Sequence, residues 1–240
     1  MNACIEVNQI SKKFGSKQVL KDISFTVETG EVFGLLGHNG AGKSTAIDCM
    51  LGLKKMENGE VKLLGENPVK TRKSLFEQIG VQLQASSFQT NIKVYEICEE
   101  IAALYKETTD YNELLTEFKL IDLKRQAVEK LSGGEKQKLA VVLALIPKPK
   151  VLFLDELTTG LDVVARRQVW QTLKALKKNK MTILLTSHYM DEVEELCDRI
   201  CILKGGKIVV MGKIDEIIKM SPYEGLEEAY LWHLGEEVTK

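Results

Sequence analysis

The feature that most constrains this chain is a glycine-rich loop between a short apolar run and a stretch of helical periodicity. The loop spans residues 37–45 and reads GHNGAGKST. Residues 31–36 before it are mostly apolar and β-permissive, which predicts a buried strand, and apolar side chains recur at helical spacing over 45–51. A glycine-rich loop that ends in Gly-Lys-Ser between a strand and a helix is a phosphate loop of the Walker A type. The chain is therefore predicted to bind a nucleotide through its phosphates.

The residue types of this loop each suit a part in holding ATP. Glycines let the backbone turn tightly and bring amide groups close to the phosphates, and the first turn of the following helix adds its dipole. Lys43 is expected to reach the β- and γ-phosphates, and the Ser44 hydroxyl to ligate Mg²⁺. Thr45 is expected to touch the α-phosphate. The predicted ATP-binding residues of the loop are Gly37, His38, Asn39, Gly40, Ala41, Gly42, Lys43, Ser44 and Thr45.

A second apolar run, residues 151–154, ends in the two acids Asp155 and Glu156. A carboxylate at the end of a buried strand that faces the phosphate loop can hold magnesium, which is the role predicted for Asp155. Glu156 is predicted to accept a proton from the attacking water, a contribution worth about 10²–10⁴ in rate. The alternative is that both acids only end a strand at the surface. The phosphate loop in the same chain favours the first interpretation.

These motifs, with four others in the same order, resemble the ATP-binding-cassette (ABC) ATPases over nearly the whole chain. The sequence LSGGE at 131–135 is similar to the signature motif of that family. The resemblance implies that Ser132, Gly133 and Gly134 bind the ATP held by a second subunit. Gly-Leu-Asp at 160–162 resembles the loop that crosses the dimer interface, so Asp162 is also predicted to lie at the nucleotide.

Three further residues receive roles from the resemblance. Gln84 is similar to the loop glutamine that senses the membrane partner, and is assigned to catalysis and to the magnesium site, with Gln82 as an alternative two residues earlier. His188 resembles the switch histidine, which implies hydrogen bonds to the γ-phosphate and to Glu156. Phe14 lies where the family places an aromatic ring against adenine. A solvated or core histidine and a core phenylalanine are the alternatives.

The residues around Ser132 also have a physical interpretation of their own. Ser132 can cap a helix predicted over 135–146, and the small residues after it expose N–H groups, so this is a second anion-binding helix end without a lysine. One chain thus carries two incomplete phosphate sites. A two-fold dimer that sets each Ser132 face against the Lys43 face of the other subunit would complete both. The resemblance implies this arrangement, with two ATP between the subunits, and a homodimer is predicted.

Two residues depart from the common family pattern. Glu135 stands where glutamine is usual, and Leu157 follows the two acids where proline is usual. The glutamate adds a negative charge near the partner's nucleotide, and the leucine removes a backbone restraint after Glu156. Neither change removes a phosphate-binding, magnesium-binding or water-activating group, so ATP hydrolysis remains the prediction. A weakly hydrolysing regulatory cassette is the alternative.

Strands and helices alternate along the chain, which predicts an α/β fold with a mainly parallel sheet and helices on both faces. The resemblance specifies a P-loop NTPase core, an antiparallel β subdomain near the N-terminus and a helical subdomain that carries the signature motif. We expect a single ABC ATPase domain over 1–240. Its nucleotide-binding core comprises 1–92 and 148–220, its helical subdomain 93–147, and its short C-terminal helix 221–240.

Charge and hydropathy narrow the choice of partner. The net charge of −1 gives no general attraction to nucleic acid, so no nucleic-acid partner is predicted. The longest apolar run, 139–146, falls far short of the ~20 residues of a spanning helix. A transporter role therefore requires a separate integral membrane permease. An apolar docking surface for it is predicted from Phe88, Ile92, Val94, Tyr95 and Ile97. The alternative is that most of this stripe serves the core of the helical subdomain. The alternative partner is DNA or the ribosome, as for other soluble ATPases of the superfamily.

The cysteine pattern and the C-terminal segment indicate the cell compartment and the direction of transport. The five cysteines form no CxxC pair, which indicates free thiols in a reducing cytosol. The chain is predicted to be cytoplasmic and to lie on the inner face of the cell membrane, where the permease holds it. The tail at 225–231 resembles the short C-terminal helix of drug, antibiotic and polysaccharide exporters, so export is predicted.

Overall fold

The structure is a computed structural model that describes residues 3–82 and 88–237 of the 240-residue chain. A three-stranded antiparallel sheet in the order β2-β1-β4 contains the two longest strands. Its strands are β1 (Ala3–Phe14), β2 (Lys17–Glu28) and β4 (Asn58–Leu63). Apolar and polar residues alternate along β2, so one face of this sheet is buried and the other meets solvent.

A six-stranded sheet in the order β5-β6-β7-β3-β8-β9 forms the centre of the molecule. The first five strands are parallel, and β9 pairs antiparallel with β8 at the edge. The strands are β3 (Val32–Leu36), β5 (Ile79–Gln82), β6 (Val151–Asp155), β7 (Thr182–Ser187), β8 (Arg199–Lys204) and β9 (Lys207–Lys213). All residues of β3, β6 and β7 are buried, because both faces of a parallel sheet are covered. The predicted fold class is confirmed.

Helices cover both faces of the central sheet. In the described part of the chain they are α1 (Lys43–Met50), α2 (Arg72–Phe76), α3 (Val94–Ala102), α4 (Tyr111–Glu117), α5 (Gly133–Leu145), α6 (Val163–Lys178), α7 (Met190–Leu196), α8 (Ile214–Lys219) and α9 (Leu226–His233). The helical pattern of the sequence did not single out α8, which is only six residues long. None of the described helices is long and apolar enough to cross a membrane.

The core divides into two layers, one on each face of the central sheet. Neighbouring residues of β6 show the division, because Phe153 belongs to one cluster while Leu152 and Leu154 belong to the other. The Phe153 layer also contains α1 and the antiparallel sheet, where Phe25 stacks on Phe33 at 5.2 Å between ring centroids. The opposite layer contains helices α3 to α9. Each strand is therefore fixed by packing on two sides.

Strand register brings three strand ends to one edge of the sheet. Leu36 of β3 pairs with Ser187 of β7, and Asp155 of β6 pairs with Thr186 of the same strand. The chain thus leaves β3, β6 and β7 at nearly the same level. Ligands of open α/β sheets bind in the crevice outside the carboxyl ends of the strands. This edge is therefore where the fold favours a nucleotide site.

Candidate functional site

The phosphate loop connects the end of β3 to the first turn of α1, as the sequence predicts. Gly40 and Gly42 have φ angles of 83° and 114°, in a region that residues with a side chain rarely adopt. A Cβ on Gly37 would lie 2.6 Å from the carbonyl oxygen of Leu203, so that position also requires glycine. No described side chain caps α1, which leaves its first N–H groups for an anion. The loop therefore has the backbone that phosphate binding requires.

The Lys43 ammonium is buried within this loop. Its Nζ donates to the carbonyl oxygen of Gly37 at 2.8 Å and lies 3.1 Å from Oε1 of Glu156. Lys43 is 4% exposed and Glu156 is 8% exposed, so bulk salt screens this pair little. Any phosphate that binds Lys43 has to compete with the carboxylate of Glu156.

A buried threonine fixes the two acids. Thr186 Oγ1 donates to Oδ1 of Asp155 at 2.5 Å and accepts from the backbone N–H of Glu156 at 2.9 Å. Glu156 has a φ of 50°, which is uncommon for a residue other than glycine. Strain of this kind costs about 1–3 kcal/mol and clusters at active sites. The neighbouring strand β7 thus holds the carboxylate of Asp155 and the backbone of Glu156 in place.

His188 follows β7 directly and lies near the same oxygen of Glu156 that Lys43 contacts. Its Nδ1 lies 3.8 Å from Oε1 of Glu156, which is longer than a hydrogen bond. The histidine ring packs against Tyr189 at 4.2 Å between ring centroids, and its side chain is 30% exposed. The structure therefore places this histidine next to Glu156 and at the border of solvent.

The phosphate loop opens onto a cleft of about 490 Å³. The cleft is lined by Phe14, Lys17, Val19, Asn39, Gly40, Gly42, Lys43, Ser44, Thr45 and Glu156. The Phe14 ring is 46% exposed, and the ammonium groups of Lys12 and Lys54 lie 5.1 and 5.4 Å from its centroid. This exposure argues against a core role and leaves the ring available to stack on a flat heterocycle. Ser44 lines the cleft, and Asp155 ends β6 directly before Glu156 but is not itself among the lining residues. Hydroxyl and carboxylate oxygens of this kind could hold a magnesium ion.

Ser132 begins a separate surface at the start of α5. Its Oγ accepts from the N–H of Glu135 at 3.3 Å, while its own N–H donates to Oε2 of Glu135 at 2.8 Å. This reciprocal pair is a capping box, a role that glutamate and glutamine both fill. The departure at Glu135 therefore leaves the helix end intact. Leu157, the other departure, is 3% exposed and belongs to the core.

The loop residue Asp162 lies beside that surface, at the N-terminus of α6. Its Oδ1 accepts from the N–H groups of Val164 and Ala165, both at 2.9 Å. A Cβ on Gly134 would lie 2.9 Å from Cβ of Ala165, so the first turns of α5 and α6 are in close contact. Ser132, Gly133, Gly134 and Asp162 are not among the residues that line the cleft of their own chain.

The predicted Gln84 lies outside the described residues, and its alternative Gln82 ends β5. Beside β5 a groove of about 500 Å³ is lined mostly by apolar residues. Its lining includes Leu53, Phe76, Val81, Gln82, Phe88, Ile97, Ile101, Tyr105, Ala140 and Leu143. The 88–97 stretch contributes Phe88 and Ile97 to this groove.

Other members of the expected docking surface are core residues. Ile92 is 6% exposed, Val94 is fully buried, and both belong to the core around α3 to α7. For these two residues the structure therefore supports the alternative, in which the stripe packs into the core of the helical subdomain.

Sequence analysis missed two buried polar residues near the site, Thr186 and Glu192. Glu192 is 3% exposed, and its carboxylate accepts hydrogen bonds from three side chains. One signal was available, since Glu192 precedes Leu196 by four residues and so shares the apolar face of α7. For Thr186 the signal was a hydroxyl within an otherwise apolar strand.

Comparison with known proteins agrees with the geometry of the site. The family model described as ABC transporter matches residues 20–159, which include the phosphate loop, Ser132 and both acids. Nod factor export ATP-binding protein I of Rhizobium meliloti (strain 1021) is 42% identical over 224 residues, which cover 89% of this chain and 67% of that protein. The protein of the same name from Burkholderia lata is 38% identical over 223 residues, or 90% and 73% of the two chains.

Solved structures give the same result. The ATP binding subunit of an ABC transporter matches with a TM-score of 0.87 at 27% identity, over 96% of this chain and 99% of that one. A protein described as cbiO1 from Clostridium perfringens, part of the ABC transporter complex cbiONQ, matches with a TM-score of 0.79 at 26% identity, over 91% and 92%. The family match spans more than half of the chain and includes the phosphate loop and both acids. The chain therefore belongs to the ABC transporter family, as an ATP-binding and ATP-hydrolysing subunit.

Proposed function

We propose that two copies of this chain dimerise head to tail around two ATP molecules and drive a separate integral membrane permease, in the direction of export. The observation that carries the dimer is the position of the Ser132 surface. It presents the N-terminus of α5 and the Asp162 loop together, yet neither lines the cleft of its own chain. A partner related by a two-fold axis would bring this surface over the phosphates held by Lys43.

Each composite site takes residues from both chains, and each group of residues has its own role. The phosphate loop binds the phosphates, Phe14 stacks on adenine, and Ser44 and Asp155 hold Mg²⁺ together with Gln84. When bound, the magnesium ion neutralises charge on the phosphate oxygens. Ser132, Gly133, Gly134 and Asp162 come from the partner.

Proton transfer falls to Glu156, which accepts a proton from the attacking water, while His188 hydrogen-bonds the γ-phosphate and Glu156. Binding of ATP phosphates to Lys43 would draw the lysine away from Glu156, which it contacts at 3.1 Å. The base is then released only when a nucleotide occupies the site. This sequence of events links hydrolysis to binding.

The permease would dock in the apolar groove beside β5, which includes Phe88 and Ile97. Export is supported by the names of the relatives, which are export ATP-binding proteins. The chain would then lie on the cytoplasmic face of the cell membrane, where the permease holds it. In this proposal 1–92 and 148–220 form the nucleotide-binding core, 93–147 the helical subdomain and 221–240 the C-terminal helix.

A complementation experiment tests the composite site. Ser132→Glu introduces bulk and charge at the proposed interface, and Lys43→Ala removes the phosphate-binding ammonium. Each variant alone is expected to lose ATP turnover. In a mixed dimer, however, the Lys43 face of the first variant meets the Ser132 face of the second, and one site is intact.

Mixing the two variants should therefore restore part of the turnover, together with an ATP-dependent dimer in size-exclusion chromatography. Each variant mixed with wild type at the same total concentration is the reference. A Ser132→Glu chain that hydrolyses ATP at the wild-type rate as a monomer would contradict the two-chain site.

A further inference from the structure

One buried carboxylate outside the nucleotide cleft joins two segments that the proposed reaction uses. Glu192 of α7 accepts from Thr158 Oγ1 at 2.9 Å on Oε1 and from Ser187 Oγ at 2.5 Å on Oε2. The indole Nε1 of Trp170, on α6, donates to Oε1 at 3.1 Å. Three donors on two oxygens satisfy a carboxylate that is cut off from water.

The two hydroxyl partners lie next to the proposed catalytic groups. Thr158 comes two residues after Glu156, in the turn that leads to α6. Ser187 directly precedes His188, and its Oγ also accepts from the N–H of Tyr189 at 3.0 Å. The carboxylate therefore connects the backbone just after the proposed base to the backbone on both sides of the histidine.

Burial of this group carries a cost in stability. Burial raises the pKa of Glu192, and the hydrogen bonds from Ser187, Thr158 and Trp170 offset that effect only in part. Replacing a buried charged group with a neutral one of similar volume is often neutral or stabilising. A carboxylate that is kept in such a place beside a reactive site is more consistent with a functional role than with a stabilising one.

We infer that Glu192 is a positioning residue for ATP hydrolysis, which holds His188 and the segment after Glu156 in a fixed relation through Ser187 and Thr158. The inference rests on the proposed roles of Glu156 and His188. The three hydrogen bonds of Glu192 go to residues outside the phosphate loop, so its replacement should affect turnover and leave ATP binding intact.

The first test is Glu192→Gln in the full-length chain. The amide keeps the volume, but it has a single acceptor oxygen, so one of the two hydroxyl contacts must reverse or break. We expect kcat to fall about ten-fold, while KM for ATP changes less than about two-fold. The melting temperature should change little, because the amide keeps the volume and can still pair with most of the same donors. A folded variant with wild-type kcat would overturn the inference, as would a loss of kcat accompanied by a lower melting temperature and a raised KM.

A double-mutant cycle tests the route of the effect. Ser187→Ala removes the contact beside His188, and we expect it to lower kcat as well. If the serine acts through the carboxylate, then Ser187→Ala combined with Glu192→Gln lowers kcat no further than Glu192→Gln alone. Fully additive losses would overturn the connection. Trp170→Phe is the matched control, since it removes the donor from α6, keeps both hydroxyl contacts, and should leave kcat within about two-fold of wild type.

The test of Glu192 can be distinguished from the test of the proposed catalytic base, Glu156. Glu156→Gln with wild-type turnover would remove the assigned base, whatever Glu192→Gln does. An inactive Glu156→Gln variant together with a fully active Glu192→Gln variant would overturn the role of Glu192 alone. In the Glu156→Gln background, Glu192→Gln should still permit the ATP-bound dimer, because neither residue belongs to the phosphate loop or to the Ser132 surface and Lys43 is unchanged.

Discussion

At the scale of a single residue, the proposed role of Glu156 conflicts with the contact that it makes in the structure. It is proposed to act as a base, yet in the structure its Oε1 lies 3.1 Å from the Lys43 ammonium, with both groups buried. The ion pair occupies the carboxylate oxygen that would accept a proton from the attacking water. Phosphate binding would resolve the conflict by giving Lys43 other anions.

The Glu156→Gln variant is expected to lose ATP turnover by about 10²–10⁴-fold while it retains nucleotide binding, because glutamine keeps the shape but cannot take up the proton. Loss of the negative charge beside Lys43 also removes the competitor of the phosphates, so ATP should bind as tightly as in wild type or more so. Steady-state hydrolysis and a nucleotide titration measure the two effects. The exposed Glu60→Gln on β4 is the control, and unchanged hydrolysis in Glu156→Gln would eliminate the base role.

At the scale of an element, the start of α5 determines what the proposed dimer surface presents. The capping box between Ser132 and Glu135 uses the serine hydroxyl, the glutamate carboxylate and two backbone N–H groups within the chain itself. Contact between Gly134 and Ala165 then holds the first turn of α5 against α6. The surface is therefore preformed in the single chain, which lowers the entropy cost of closing the dimer.

Glu135 offers a test of this local structure. Glu135→Ala should lower the free energy of unfolding by about 0.3–1.5 kcal/mol, because it removes one half of the capping box. Glu135→Gln should retain most of that stability, since glutamine also accepts the N–H of Ser132. Chemical denaturation measures both variants. Equal stabilities for wild type and Glu135→Ala would show that the cap contributes nothing to the fold.

At the scale of the whole molecule, ATP acts as a ligand of the folded state that contacts parts far apart in the chain. The cleft takes residues from the antiparallel sheet (Phe14), from the phosphate loop and from the end of β6 (Glu156). A ligand that spans these parts stabilises them together, since a compound that binds only the native state raises its stability by mass action.

Lys43→Ala should abolish this stabilisation. Wild-type chain at an ATP concentration of 100 times Kd is expected to gain about 2.7 kcal/mol in stability, and the variant should gain almost none. Thermal unfolding of both proteins, with and without ATP, measures the difference. One series contains EDTA to exclude magnesium effects, and a second contains Mg²⁺. An unchanged ATP-dependent shift in the variant would contradict the phosphate-loop assignment.

Local signals were sufficient for the fold class and for several parts of the site. The phosphate loop depends on glycines at fixed positions and a Lys-Ser pair, all within nine residues of chain, so sequence alone predicts it. The buried strands of the central sheet also follow from short apolar runs, since a parallel sheet covered on both faces needs no alternation. The helix α5 begins two residues earlier than its periodicity suggests, because Ser132 provides the cap.

Tertiary structure decided how these parts meet. No local signal shows that β7 lies between β3 and β6. This strand order brings Thr186 into contact with Asp155, 31 residues away in the chain, and with Glu156, 30 residues away. Nor does it show that Glu192 reaches Thr158 across 34 residues. Periodicity reports which face of an element is buried, whereas these contacts depend on strand order and helix packing, which are long-range properties. Residue types thus determined the nucleotide chemistry, and packing decided which side chains contact the proposed catalytic groups.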